Sequence, residues 1–239
     1  MSPHRTAPER RANYAGVGQL FDDNATRYDR LNRVVGLGMG ERYRGDALRR
    51  SGLAPGMTVL DVGCGTGVLG AHASRLVGPT GCVVALDPSR GMLDIAHGKR
   101  GLEAVQAAAE RLPLADGSID AVVMGYALRH LERLDPVFAE FARVLRPGGR
   151  LLMLELLPPR QRAFRKAFRT YLRNVVPWLV GGRRTERLKT RRLMDYTWTT
   201  ITHAAAPPRV LDALRANGFE DARFRSLAQV LGEYSARRI

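Results

Sequence analysis

The stretch Val59-Leu-Asp-Val-Gly-Cys-Gly-Thr-Gly-Val68 limits the possible fold more than any other part of this chain. The apolar run Met57–Leu60 predicts a buried strand, and Val68–Val77 predicts a helix. Between them stand glycines at alternate positions, Gly63, Gly65 and Gly67. Glycine lets the backbone turn tightly and lets a ligand lie almost on the main chain. A strand, a Gly-rich turn and a helix N-terminus in this order form a nucleotide-binding crevice in an open α/β sheet.

The spacing narrows the ligand. A dinucleotide fingerprint needs its third glycine at position 68, which is Val68, and a P-loop needs a lysine that the turn lacks. What remains is an acid, Asp61, followed by Gly-x-Gly-x-Gly, which suits a ligand with a positive charge and no phosphates. The pattern resembles the first motif of class I S-adenosylmethionine-dependent methyltransferases.

The following segments repeat the strand–helix alternation. Cys82–Leu86 reads as a second strand ending at Asp87, whose carboxylate stands where an acid can accept the hydroxyls of a ribose. Asp87 could alternatively cap a helix starting at Ser89. Met92, one turn into that helix, is placed either to pack on an adenine face or to fill the core. Further strands are predicted at Glu103–Gln106, Ile119–Met124 and Arg150–Leu156, with an amphipathic helix over Pro136–Leu145. Arg146-Pro-Gly-Gly149 is expected to break the chain between that helix and the fifth strand. Pro207–Asn217 reads as a helix, and Ala222–Leu227 with Val230–Ala236 as a closing hairpin. The expected fold is therefore α/β, a doubly wound, mostly parallel, seven-stranded sheet of Rossmann-like methyltransferase type.

Two segments lie outside this alternation. Residues 17–54 are helical in character and precede the first strand, where such a segment forms a lid; Leu20, Phe21, Ala25 and Tyr28 fall at helical spacing. Residues 158–206 form an insertion after the fifth strand, with an apolar helical stripe from Phe164 to Leu179. Between Arg160 and Arg192 this insertion carries twelve Lys/Arg and a single acid, Glu186. Residues 1–16 are expected to be disordered, and residues 17–236 to form one methyltransferase domain.

The charge matters for partners. With 38 Lys+Arg against 23 Asp+Glu the net charge is +15, a field that attracts nucleic acid, anionic membrane surfaces or acidic metabolites. Arginine-rich composition alone is the simpler explanation. No apolar run approaches the roughly 18 residues needed to cross a bilayer, and the first residues lack a signal-peptide core, so a cytoplasmic location is expected, with peripheral membrane attachment through residues 160–192. Cys64 and Cys82 suggest neither a disulfide framework nor a metal site. Nucleic acid is disfavoured: the fourth strand does not end in an Asn/Asp-Pro-Pro-aromatic pocket, and no RNA-binding module is visible.

Further motifs follow in order: Phe21-Asp, Arg27-Tyr-Asp-x-Leu-Asn32, Leu60-Asp-Val-Gly-Cys-Gly-Thr-Gly67, Asp87-Pro-Ser-x-Gly-Met-Leu93, Ala109-Glu-x-Leu-Pro-Leu114, Ala127-Leu-Arg-His130, Arg143-Val-Leu-Arg-Pro-Gly-Gly149, Leu154-Glu155, Tyr171 with Val176-Pro177, and Ala216-Asn-Gly-Phe219. Together they resemble the ubiquinone/menaquinone biosynthesis C-methyltransferase family. The resemblance implies S-adenosylmethionine as cofactor, held by Asp61, Gly63, Cys64, Gly65, Thr66, Gly67, Asp87, Pro88, Met92, Ala108, Ala109, Glu110 and Tyr126. It implies C-methylation of an electron-rich ring, with a small hydroxylated aromatic or quinol-type, optionally prenylated, acceptor; a homodimer is one option for the oligomeric state, which the sequence leaves open.

The chain departs from the family in two places. The Gly-Asp-Ala whose acid binds the adenine amine is Ala107-Ala108-Ala109 here, and the loss of such a charged hydrogen bond is worth about 1.5–3 kcal/mol. The family's Leu-Arg-Asn is Leu-Arg-His, which points to a specialised acceptor. Three residues are expected at the chemistry: Arg129 as the cation facing a ring oxyanion, unless it pairs with Glu132 or Asp135; His130 as base; and Tyr28 orienting the hydroxyl. The competing readings are a small-molecule O- or N-methyltransferase, a nucleic-acid methyltransferase, and a non-catalytic cofactor-binding protein.

Overall fold

A computed structural model describes residues 18–36, 38 and 40–239. The expectation for residues 1–16 lies outside the described residues.

Seven strands form one sheet: β1 (Thr58–Val62), β2 (Cys82–Asp87), β3 (Glu103–Gln106), β4 (Ile119–Gly125), β5 (Leu145–Leu156), β6 (Phe219–Leu227) and β7 (Leu231–Arg238). Their order is β3-β2-β1-β4-β5-β7-β6, with β1 to β5 parallel and β7 antiparallel between β5 and β6. The order reverses between β1 and β4, and a ligand crevice opens at the carboxyl ends of strands at such a switch point.

Both sheet faces are covered. On one side lie α2 (Gly40–Arg50), α3 (Val68–Val77) and α4 (Arg90–Arg100), contributing Leu48, Leu69, Ala73 and Ala96. On the other lie α5 (Leu134–Val144) and α9 (Pro207–Ala216), contributing Phe138, Phe141, Val210 and Leu214. In α5 the buried residues Leu134, Val137, Phe138, Phe141 and Val144 recur every three or four positions, the spacing that makes one helix face apolar.

The lid consists of a turn of helix over residues 18–22 and α1 (Ala25–Val35). The insertion forms α6 (Arg162–Thr170), a π turn over Tyr171–Val175, α7 (Val176–Val180) and the long α8 (Arg184–His203). The π turn has a sequence cause. Pro177 has no N–H and its ring excludes the carbonyl four residues back, so the ladder widens just ahead of it. Leu31 of the lid packs with Leu172, Val176, Val180, Leu193 and Met194 of the insertion in a third core.

Several boundaries differ from the sequence reading. β1 runs on to Val62, so Asp61 lies inside the strand. β5 begins at Leu145: Arg146-Pro-Gly-Gly149 does not break the chain but makes an irregular start, where the register against β4 jumps from Leu145 to Arg150. The helix after β2 begins at Arg90, and its cap is Ser89, whose hydroxyl accepts the Met92 N–H. Asp87 is not that cap.

Candidate active site

The crevice at the β1/β4 switch point is lined by the glycine turn, the ends of β2 and β4, the loop after β3, and the lid. Gly63, Gly65 and Gly67 all have positive φ. At Gly63 the requirement is double, since a Cβ would also stand 2.6 Å from the Ala127 Cβ. Gly67 does not line the crevice. It precedes α3 at φ 78°, and a Cβ there would meet Leu102 at 2.8 Å, so close packing by itself requires glycine at this position.

The carboxylates divide the crevice. Asp61 is fully buried; its Oδ2 accepts the Gly70 N–H at 2.8 Å, while its Oδ1 has no partner. Burial pushes its pKa up to about 7. Asp87 accepts the Gly65 N–H through Oδ2 and the Ser89 N–H through Oδ1, both at 2.8 Å, and burial pushes it up to about 6. Each oxygen of Asp87 keeps a second lone pair for a ribose hydroxyl. Cys64, Thr66, Pro88, Met92, Ala108, Ala109, Glu110 and Tyr126 also line the crevice. Ala108 and Ala109 stand where the adenine acid was missing. The donor set fits an adenosyl sulfonium compound: an unpartnered buried carboxylate oxygen for an ammonium, a second acid for the ribose, and a buried thioether, Met92, beside two alanines for the base.

The lid is fastened over this crevice by side chains. Thr66 Oγ1 donates to Asp29 at 2.5 Å, and Arg100 holds the other Asp29 oxygen at 2.9 Å. Ser89 donates to Asp22. Arg27–Glu186 at 2.6 Å and Lys189–Asp23 at 3.0 Å tie the lid to α8, and Tyr171 donates to the Val34 carbonyl.

The predicted catalytic residues fare differently. Tyr28 lies over the glycine turn and lines the crevice; burial raises its phenol pKa. His130 also lines it, with Nδ1 2.8 Å from the Tyr196 hydroxyl. Burial, helped by the nearby Arg129 charge, lowers the His130 pKa well below its usual value, so its resting form is the neutral imidazole. Phe21 meets Tyr28, His130 and Tyr196 edge-on, at ring centroid distances of 5.8, 5.5 and 6.2 Å. Arg129 departs from the expectation. Its Nη1 is bound to Glu155 at 2.7 Å, not to Glu132 or Asp135, and both side chains are buried. Its guanidinium also donates to the Tyr126 carbonyl, and Glu155 accepts its backbone N–H. A guanidinium so neutralised is not the free cation expected for an oxyanion, and it does not line the crevice.

Arg129 does line a second cavity. That cavity is walled mainly by apolar residues of the lid and insertion, among them Leu31, Val35, Phe164, Phe168, Leu193 and Met194. Tyr28, Asn32, Arg44 and Tyr126 belong to both cavities, so the two adjoin. Sequence reasoning missed two residues here. Tyr196 carries no local signal, since only the fold brings it to His130. Arg44 carries a faint one, because it interrupts the stripe Tyr43, Ala47, Leu48 that α2 buries.

Comparison with known proteins agrees with this geometry. The model of the ubiE/COQ5 methyltransferase family matches residues 8–231. A demethylmenaquinone methyltransferase of Lactococcus lactis subsp. lactis (strain IL1403) is 33% identical over 194 residues, 79% of this chain and 75% of its own length. The ubiquinone/menaquinone biosynthesis C-methyltransferase UbiE of Hahella chejuensis (strain KCTC 2396) is 39% identical over 173 residues, covering 70% and 69%. Among solved structures, a SAM-dependent methyltransferase from Aquifex aeolicus superposes with a TM-score of 0.60 at 21% identity, over 82% of this chain and 89% of that one. The 4+2 cyclase SpnF gives 0.66 at 20%, over 93% and 94%. These last two likenesses speak for the fold alone.

Proposed function

Because this chain belongs to the ubiE/COQ5 methyltransferase family and is an S-adenosylmethionine-dependent methyltransferase, we propose that it methylates a ring carbon of a quinol-type acceptor bearing an apolar tail. The observation that carries this reading is the apolar cavity adjoining the cofactor crevice through Tyr28, Asn32, Arg44 and Tyr126. A ring at that junction sits beside the donor while its tail follows Phe168, Leu193 and Met194 outward. Two of the relatives named above are, by name, a demethylmenaquinone methyltransferase and a ubiquinone/menaquinone biosynthesis C-methyltransferase, which supports this reading.

S-Adenosylmethionine supplies an electrophilic methyl group, so the protein's work is to align the acceptor and exclude water. A ring carbon becomes nucleophilic as a neighbouring hydroxyl gives up its proton. With Nδ1–H donating to Tyr196, neutral His130 presents Nε2 as an acceptor for that hydroxyl. Its low pKa makes it a base that passes a proton on rather than keeping it. Tyr28 has no hydrogen-bond partner among the described residues, which leaves its phenol to orient the ring oxygen. Arg129, fixed by Glu155, is a positioning group at the cavity wall.

The same reading extends to the membrane. Helix α6 buries none of its residues, and Trp178, Leu188, Leu179 and Phe164 are 68%, 54%, 46% and 40% exposed amid the basic run of residues 160–192. Phe164 also lines the apolar cavity, so the cavity is walled by the element that would meet lipid. Basic amphipathic helices bind anionic interfaces, each Lys/Arg adding about 1 kcal/mol. Among the described residues no helix is long and apolar enough to span a bilayer.

The test is incubation of the purified protein with labelled S-adenosylmethionine and a short-chain prenylated naphthoquinol, with mass spectrometry of the product. A ring C-methyl product is expected; an O- or N-methylated product would move the assignment to small-molecule tailoring. Flotation with anionic and neutral vesicles tests the membrane claim, which fails if anionic vesicles retain no protein at low salt.

A further inference from the structure

The chemistry assigned so far leaves Arg44 without a task. It lies on the buried face of α2 and is 6% exposed. Its guanidinium carbon stands 4.8 Å from the centroid of the Tyr126 ring. Among the described residues no carboxylate or carbonyl accepts a hydrogen bond from its side chain. A guanidinium mostly withdrawn from water without a hydrogen-bonded anion is costly, and stacking on an aromatic face offsets that only in part. Such a group persists where a ligand completes it.

The sheet order indicates which ligand. Asp87 and the Ala108–Ala109 loop follow β2 and β3, the side assigned to ribose and base. Asp61, Gly63, Tyr126 and Arg44 gather at β1 and β4, the other side, where an adenosyl compound would place its amino-acid tail. That tail is a zwitterion, and this end of the crevice holds a buried carboxylate oxygen without a partner, Asp61 Oδ1, and the Arg44 guanidinium, which lies over the Tyr126 ring. We infer that Arg44 binds the α-carboxylate of the methyl donor and so sets the position of its sulfur relative to the acceptor. The planar fork of a guanidinium matches a carboxylate through two parallel hydrogen bonds, which an ammonium cannot do. The rival ligand for Arg44 is the acceptor's oxyanion, since the residue also borders the apolar cavity. The unpartnered Asp61 oxygen favours the tail, because Asp61 lines only the cofactor crevice. This inference rests on the donor and is independent of which ring is methylated.

Calorimetry without any acceptor separates the cases. S-Adenosylhomocysteine carries the tail; 5′-methylthioadenosine keeps the nucleoside and sulfur but lacks it. Arg44→Met is expected to weaken S-adenosylhomocysteine about 10- to 100-fold while leaving 5′-methylthioadenosine within about twofold. Arg44→Lys should recover part of the loss, and thermal melting checks that both variants fold. On the wild-type protein, which needs no variant to fold, decarboxylated S-adenosylmethionine should bind about 10- to 100-fold more weakly than S-adenosylmethionine itself. Equal weakening of both nucleosides in Arg44→Met would overturn the inference in favour of a structural role. Unchanged S-adenosylhomocysteine affinity with a raised acceptor KM would overturn it in favour of the oxyanion.

Discussion

Where the methyl donor binds, the wall is sheet: Asp61, Gly63, Asp87 and Ala108 sit at or just beyond the carboxyl ends of β1, β2 and β3, within a span of 48 residues. Where the acceptor is proposed to enter, the wall is helix: Tyr28 from the lid, His130 from the turn after β4, and Phe168, Leu193 and Tyr196 from the insertion. The first wall is made of backbone and short side chains held by strand register, and it leaves little for substitution to vary. The second is made of long side chains contributed by elements that meet only through packing. On the proposed reading, cofactor recognition is a property of the fold and acceptor choice a property of the helices laid over it.

The largest expected effect lies where the two walls join. Glu155, at the end of β5, holds the Arg129 guanidinium and its backbone N–H, and neither side chain reaches solvent. Glu155→Ala leaves a buried cation unpaired, which costs about 3–5 kcal/mol. Chemical denaturation should show this loss even though no residue of the donor wall has changed. A cost below about 1 kcal/mol, the range of a surface pair, would mean that Arg129 escapes to water and that the joint is not rigid.

On the donor side, the sharpest probe is pH. Burial raises Asp61 to about 7 and Asp87 to about 6. Unfolded carboxyls titrate at about 4, so from about pH 4 to 7 the folded chain keeps protons that the unfolded chain has released. Stability therefore falls as pH rises through that window. A ligand ammonium against the open Asp61 oxygen favours the carboxylate instead. S-Adenosylhomocysteine should bind more tightly as pH approaches 7, by up to about tenfold per unit, with uptake of the ligand releasing a proton. Calorimetry in two buffers of different ionisation enthalpy counts that proton, and Asp61→Asn should abolish it. Affinity that stays flat across the window would remove Asp61 from the donor site.

How much could be read from the chain follows the same division. Asp61, Gly63, Gly65 and Asp87 are legible because a strand, a turn and a strand end fix side-chain positions over short sequence distances. Gly67 is ambiguous in sequence because a glycine forced by helix packing against Leu102 looks like one forced by a ligand. The pairing of Arg129 was misread because its partner, Glu155, is 26 residues away and meets it only across the β4–β5 pair. Tyr196 could not be found at all, since its distance of 66 residues from His130 has no local signature. The continuous β5 was missed because Pro and Gly ordinarily end an element, yet here they sit in an irregular register that tolerates them.

On the acceptor side the hydroxyl of Tyr196 is a finer test. It is bonded to His130 at 2.8 Å and fixes which imidazole nitrogen faces the junction. Tyr196→Phe keeps the ring against Phe21 and removes only the hydrogen bond, a stability change of about 1 kcal/mol. Turnover should fall about tenfold, less than the roughly 100-fold or more that losing the positioned base itself would cost, while S-adenosylhomocysteine affinity stays unchanged. Equal losses in donor binding would show that the two walls are not separable.

The smallest effect is expected at the outer surface of the insertion, and it depends on the assay. Trp178 is 68% exposed and lies 5.1 Å from the Arg187 guanidinium, a contact that contributes little in water. Trp178→Ala should shift stability by no more than about 0.5 kcal/mol, as surface changes do, and leave turnover on a short-tailed, water-soluble acceptor untouched. With the acceptor dissolved in anionic vesicles the same variant should slow, because the indole is lost from the interface while the basic residues remain. Raising the salt concentration should then slow it further, since the remaining attraction is screened. If Trp178→Ala is as fast as the wild type on vesicles at high salt, residues 160–192 roof the active site without holding it to a membrane.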